Sequence, residues 1–177
     1  MVGGDAASSP SRRGGVALPG VIVQVIALLL FSLVAGSTFG IWRGLGGADF
    51  SIGTFIDVHQ QLVRGLNVLL PAMGAASAVL VLGLSWNARR NRRALGLYLA
   101  SFCLILAAAA ITRLWNQPIN AQVMTWTMDS IPADWKTIQA SWWQGHVLRT
   151  MFSVLATVAM LLAIFADRNS LPGRSAR

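Results

Sequence analysis

The sequence contains no glutamate, one lysine, one tyrosine and one cysteine in 177 residues. Charged residues amount to 11%, against roughly 25% in soluble domains. So little charge cannot cover a water-facing surface, and a soluble globular class is excluded. The lone Cys103 excludes an intramolecular disulfide and a C-x-x-C redox or zinc pair. Lying inside an apolar run, it reads as a small buried hydrophobe. Two histidines, His59 and His146, with no C-x-x-C-H sequence, argue against haem, and no metal site is expected. Without a carboxylate inside the apolar runs, a proton-coupled transporter is also disfavoured.

What is present is hydrophobic: 55% of the residues, with a mean hydropathy of +0.60. Four apolar runs stand out, at about 18–42, 66–86, 95–115 and 147–166. Each approaches the ~20 residues a helix needs to cross a bilayer, and a helix satisfies its own backbone in lipid. The expected fold is all-α: a four-helix transmembrane bundle forming one domain over residues 18–166. Residues 1–17 read as a disordered tail rich in Gly, Ser and Ala, and 167–177 as a basic C-terminal tail. The "SRRGGVALPG" start resembles a secretory or twin-arginine signal. The Phe-Leu pair expected after the arginines is missing, the run is long and no clean A-x-A site ends it, so an uncleaved first span is expected.

The net charge of +8 does not indicate nucleic acid, because the basic residues form no amphipathic face. Arg12 and Arg13, then Arg89, Arg90, Arg92 and Arg93, then Arg168, Arg174 and Arg177 flank alternate runs. Basic segments are retained on the cytoplasmic side. Both termini and the "NARRNRR" link are therefore expected to be cytoplasmic, in a bacterial-type inner membrane. The other two connections, about 43–65 and 116–146, would face outward, and they hold Asp49, Asp57, Asp129 and Asp134.

Small residues suggest where helices touch: "GSTFG" with Gly36 and Gly40, then Gly74, Ala75, Ala76 and Ala78, then Ala107–Ala110. Six of seven tryptophans, all but Trp86, lie at or beyond the outer ends. An interfacial belt would be two-sided, so some of them should line or cover an apolar object.

The same side collects polar residues. In "FIDVHQQLVRGLN", Gln60, Arg64 and Asn67 share a helical stripe next to that of His59. In "WWQGHVLRT", Trp142, His146 and Arg149 stack at i, i+4 and i+7. Arg113 and Asn116 lie one turn apart where the third run ends, Pro118 is expected to stop that helix, and Asn120 returns toward it. An arginine within a span costs ~2.5–3.5 kcal/mol at the helix centre. Snorkelling would explain a single one. It explains less well two Arg, two His and two Asn at one end of the chain's spans. Their partners should be amide or backbone carbonyls, or an anionic or carbonyl-bearing ligand.

"RLWNQPIN" followed by "WWQGHVLRT" resembles the pattern of the anthrone oxygenase family: four spans, an N-x-P-x-N-like turn after the third, and a W…H-x-x-R-T entry to the fourth. The likeness covers roughly residues 25–165 and is most specific in the second half. It implies a membrane-bound, cofactor-independent monooxygenase converting an anthrone into an anthraquinone. That chemistry needs a base, donors to an enolate oxygen and an apolar slot. His146 or His59 would be the base. Arg113, Arg149, Asn116 and Asn120, with Gln60 and Arg64 nearby, would be donors, and Trp115, Trp142 and Trp143 would be walls. The expected partners are membrane lipids and an aromatic or quinone-like small molecule. The alternative is a non-catalytic ligand-binding or accessory subunit using the same pocket.

Overall fold

The computed structural model describes residues 18–46 and 48–169. The expected tail at 1–17, with Arg12 and Arg13, and Arg174 and Arg177 lie outside the described residues. Among the described residues six α-helices follow one another: α1 (Leu18–Leu45), α2 (Ile52–Leu66), α3 (Leu69–Asn87), α4 (Arg92–Ile111), α5 (Gln117–Val123) and α6 (Trp135–Asn169). No strand occurs among the described residues. They combine into four stretches long and apolar enough to cross a membrane: Pro19–Leu45, Ile52–Arg90, Arg92–Val123 and Trp135–Arg168. The fold is the expected all-α bundle of four membrane-compatible spans.

The spans outrun the apolar runs. Two connections read as long outer links are largely helical, leaving only short irregular stretches at 48–51 and 124–134. Ser51 starts α2 by accepting from the Thr54 backbone N–H at 3.3 Å. Between α3 and α4, a 3₁₀ turn (Ala88–Arg90) leads into Asn91. Asn91 accepts from Ala94 N–H and donates to the Ala166 carbonyl at 3.0 Å. The arginine link therefore also carries a helix cap.

Two prolines bend two spans. A proline inside a helix removes the bond to residue i−4 and its ring crowds that carbonyl. Pro71 acts this way on Asn67, and the break between α2 and α3 falls at Asn67–Val68. Pro118 does not stop the third span, contrary to the sequence reading. The chain widens into a π-turn at Thr112–Asn116, where Gln117 N–H reaches the Thr112 carbonyl, and then continues as α5.

In the bundle, α1 and α4 each pack against α3 and α6. Its core is buried Ala27, Ala94, Ala156 and Ala163 with Phe31, Val81, Tyr98 and Met160. Ser77 donates to the Ala27 carbonyl and Ser101 to that of Ala156, both at 2.9 Å, so these backbones approach closely. A second cluster, Phe55, Ile56, Val123 and Trp126 with Trp135 packed on it, ties α2, α5 and the start of α6 into a cap.

Two expectations are corrected. Cβ atoms built on Gly36, Gly40 and Gly74 meet nothing within 4 Å. Those glycines are not helix contacts; alanines and serines make the close approaches instead. Cys103 is exposed on the outside of α4, because Ser101, Ile105 and Ala108 define the buried face of that helix.

Candidate functional site

Between the two bends lies a cavity of about 660 Å³, within the ~300–1,000 Å³ range of small-molecule sites. Most of its wall is apolar. α1 contributes Phe31 and Val34, α2 Leu62 and Val63, α3 Gly74, Ala75 and Ala78, and α4 Ala108 and Ala109. The small residues of α3 and α4 face this space, and their missing volume helps to form it. Polar groups gather along the bends: Asn67, Thr112, Arg113, Gln117 and Asn120, with Arg149 and Ser153 from α6. Gln117 Nε2 donates to Asn67 Oδ1 at 2.6 Å and joins the two bends directly. The Ser153 hydroxyl is turned back onto the Arg149 carbonyl at 2.8 Å.

Behind this wall stands an aromatic stack. The Trp142 ring contacts both imidazoles, with centroids 4.9 Å from His59 and 4.8 Å from His146. It is parallel to His146 within 17° and tilted 62° to His59. Hydrogen bonds determine the tautomers. A Trp Nε1–H only donates, and it meets Asn120 Oδ1 at 2.7 Å. The oxygen of Asn120 therefore faces it, and His59 Nε2, 3.1 Å from that oxygen, carries a proton and donates too. The lone pair of His59 is then on Nδ1. His146 Nε2 donates to the Thr38 carbonyl at 2.9 Å, and its Nδ1 accepts from Arg149 Nη2 at 2.8 Å and Nε at 3.3 Å. Both His146 nitrogens are engaged, and the ring holds the guanidinium in place. Arg149 also lies 6.0 Å from the Trp142 ring centre.

The sequence-derived residues divide by position. Arg113, Asn120, Trp142 and Arg149 line the cavity. His59, Asn116 and His146 are buried around it without lining it. His59 instead borders a hollow of about 10 Å³, together with Trp143, on the other side of Trp142 and Leu62. Asn116 donates to the Trp142 carbonyl at 3.0 Å, while its Oδ1 is buried without a hydrogen bond.

Three residues turn elsewhere. Gln60 donates to the Val123 and Trp126 carbonyls at 3.1 Å each, satisfying the end of α5. Arg64 is exposed and donates to Gln60 Oε1 at 3.1 Å. Trp115 donates to the Ser141 hydroxyl at 3.1 Å on the seam between the π-turn and α6. Gly145 permits that seam: a Cβ there would stand 3.1 Å from the Asn116 amide and 3.2 Å from Trp115.

A family profile described as Anthrone oxygenase matches residues 59–159. The chain belongs to the anthrone oxygenase family. No curated protein and no solved structure matches it. The anthrone oxygenase match begins at His59 and includes the third span and the whole stack, but of the cap it leaves out Phe55 and Ile56. It leaves out α1, whose Thr38 carbonyl holds His146.

Sequence reasoning missed Thr38, Gln117 and Gly145 as parts of this arrangement, and noted Asn67 only as part of a stripe. Thr38 acts through a backbone carbonyl, which no residue type announces. Gln117 and Asn67 carry a signal in retrospect, since each lies one to four residues before a helix-breaking proline.

Proposed function

We propose that this chain is a membrane-embedded oxygenase of anthrone type, taking a flat polycyclic ketone into the cavity beside Trp142. The observation that carries this reading is a largely apolar chamber whose lining includes two guanidiniums, Arg113 and Arg149, and the Asn120 amide. Bound there, the ketone oxygen lies at Arg149, and removal of a ring-methylene proton leaves an enolate that the cation stabilises. The electron-rich enolate reacts with dioxygen: the methylene becomes a carbonyl, one oxygen atom enters the product and the other leaves as water. No external reductant is consumed.

Within this reading the two histidines have different roles. His146, with both nitrogens engaged, is a positioning residue for Arg149. His59 retains its Nδ1 lone pair and acts as base, which requires the imidazole to leave its hydrogen bond with Asn120 and turn Nδ1 toward the cavity, because His59 stands behind the cavity wall. The arginine-rich link faces the cytoplasm of a bacterial inner membrane, the site lies toward the opposite face, and lipids are the protein's standing partners.

Oxygen uptake by proteoliposomes supplied with anthrone tests the proposal. The intact chain consumes oxygen and accumulates anthraquinone, and Arg149→Ala and His59→Gln each lose most of that activity while still inserting. Absence of protein-dependent turnover, or full turnover in Arg149→Ala, rejects it in favour of a non-catalytic binding module.

A further inference from the structure

The cavity has a mouth, and its position follows from which lining residues are also exposed. They are Pro71 and Ala75 on α3, and Leu106, Ala109 and Arg113 on the third span. The wall from α1 and α6 is almost wholly covered: Phe31, Val34, Thr38, Trp142 and Ser153 are buried. The opening is therefore a fissure between the second and third spans. Ala75 and Ala109 lie within the membrane-compatible stretches Ile52–Arg90 and Arg92–Val123. Leu106, beside them, is 49% exposed. In a bilayer that fissure faces acyl chains.

The charges say what would pass through it. Arg113 lies at the mouth and makes no hydrogen bond or ion pair among the described residues. Arg149 lies inside, with Nε and Nη2 committed to His146 and Nη1 without a protein partner among the described residues. An uncompensated cation in an apolar wall is costly, and an entering anion would relieve it. The floor, built of Ala, Gly and Phe, suits an apolar body.

We infer that the site takes its ligand sideways from the bilayer, as a small aromatic anion whose charged group settles between Arg113 and Arg149. This rests on the proposed oxygenase reading and narrows its substrate to a membrane-dissolved polycyclic ketone that also carries an ionised group, the ring methylene still bearing the proton that the base removes.

The test uses the full chain in phosphatidylcholine nanodiscs. Its probes are anthracene-9-carboxylate and neutral anthracene-9-methanol, neither of which has an acidic ring methylene. Binding is read by energy transfer from tryptophan. The carboxylate should bind roughly tenfold or more tightly than the alcohol, the scale of one charge-assisted hydrogen bond. Arg113→Gln and Arg149→Gln should each reduce that preference, and Arg149→Lys should restore part of it. Ala75→Leu/Ala109→Leu should slow association of both probes several-fold. Equal affinity for the two probes in the unaltered chain overturns the anion assignment without any variant. Displacement of the carboxylate by phosphatidylglycerol at equal mole fraction would assign the arginines to lipid headgroups and overturn it as well. Unchanged association in the Ala75→Leu/Ala109→Leu chain overturns the side entrance. Tight carboxylate binding without anthrone turnover would leave this inference standing while the oxygenase reading fails.

Discussion

The two halves of the bundle use the same small residues to opposite ends. Near the arginine-rich link, Ala27, Ala94, Ala156 and Ala163 are completely buried, and Ser77 and Ser101 bond across to neighbouring backbones. There, small side chains bring helices together. In the other half, Gly74, Ala75, Ala78, Ala108 and Ala109 border an open cavity. Backbone course makes the difference. The first half is straight, whereas Pro71 and the π-turn before Pro118 bend two spans in the second, where small residues cannot fill the gap. The polar groups follow the same division. One half has the compact set Gln24, Tyr98 and Asp167, with Gln24 Nε2 at 3.1 Å from Tyr98 Oη and 3.0 Å from Asp167 Oδ2. The other has an extended relay from His59 through Asn120 and Trp142 to His146 and Arg149.

Five substitutions would break or sharpen this contrast, measured as unfolding of the purified protein in mixed micelles. Asn120→Ala should be the most damaging, because it strips the acceptor from both Trp142 Nε1–H and His59 Nε2–H. At about 1–3 kcal/mol per orphaned buried donor, a loss of about 2–6 kcal/mol is expected; a loss no larger than that of Ser101→Ala would mean the relay is slack. Next comes Ala156→Leu, which forces a large side chain into a fully buried contact and should cost about 1–3 kcal/mol or more. Its counterpart, Gly74→Leu, grows into the cavity and should leave stability within about 1 kcal/mol while ending capture of the anthracene probe. If Gly74→Leu destabilises as much as Ala156→Leu, the cavity is not open space. The smallest effect belongs to Gly36→Ala and Gly40→Ala. Their new methyl groups meet nothing, so each should be neutral or stabilise by up to about 1 kcal/mol, whereas a helix-contact motif would lose stability.

Much of the architecture was legible in the residues. Run length and hydropathy announce four spans, because lipid leaves the backbone few alternatives. The stacking of Trp142, His146 and Arg149 was legible too, since it depends only on helical periodicity within α6. Pro118 misled: its local meaning is helix termination, but a π-turn accommodated the ring and the span ran on. Gly36 and Gly40 misled similarly, because spacing records where a contact is possible and not whether a neighbour is there. Gln60 and Arg64 had the right chemistry on the wrong face of the cap.

The site divides along the same line. That one end of the spans holds guanidiniums, imidazoles and amides is a property of the chain, readable from order and period. That Arg113 and Arg149 border one chamber, that Trp142 touches both histidines, and that the Thr38 carbonyl engages His146 depend on three or more spans meeting. Sequence alone determined the class of solvent and the number of crossings, because those follow from local hydrophobicity. Only tertiary packing decided where space was left, because a cavity is the difference between helix paths and side-chain volumes, and neither belongs to a single segment.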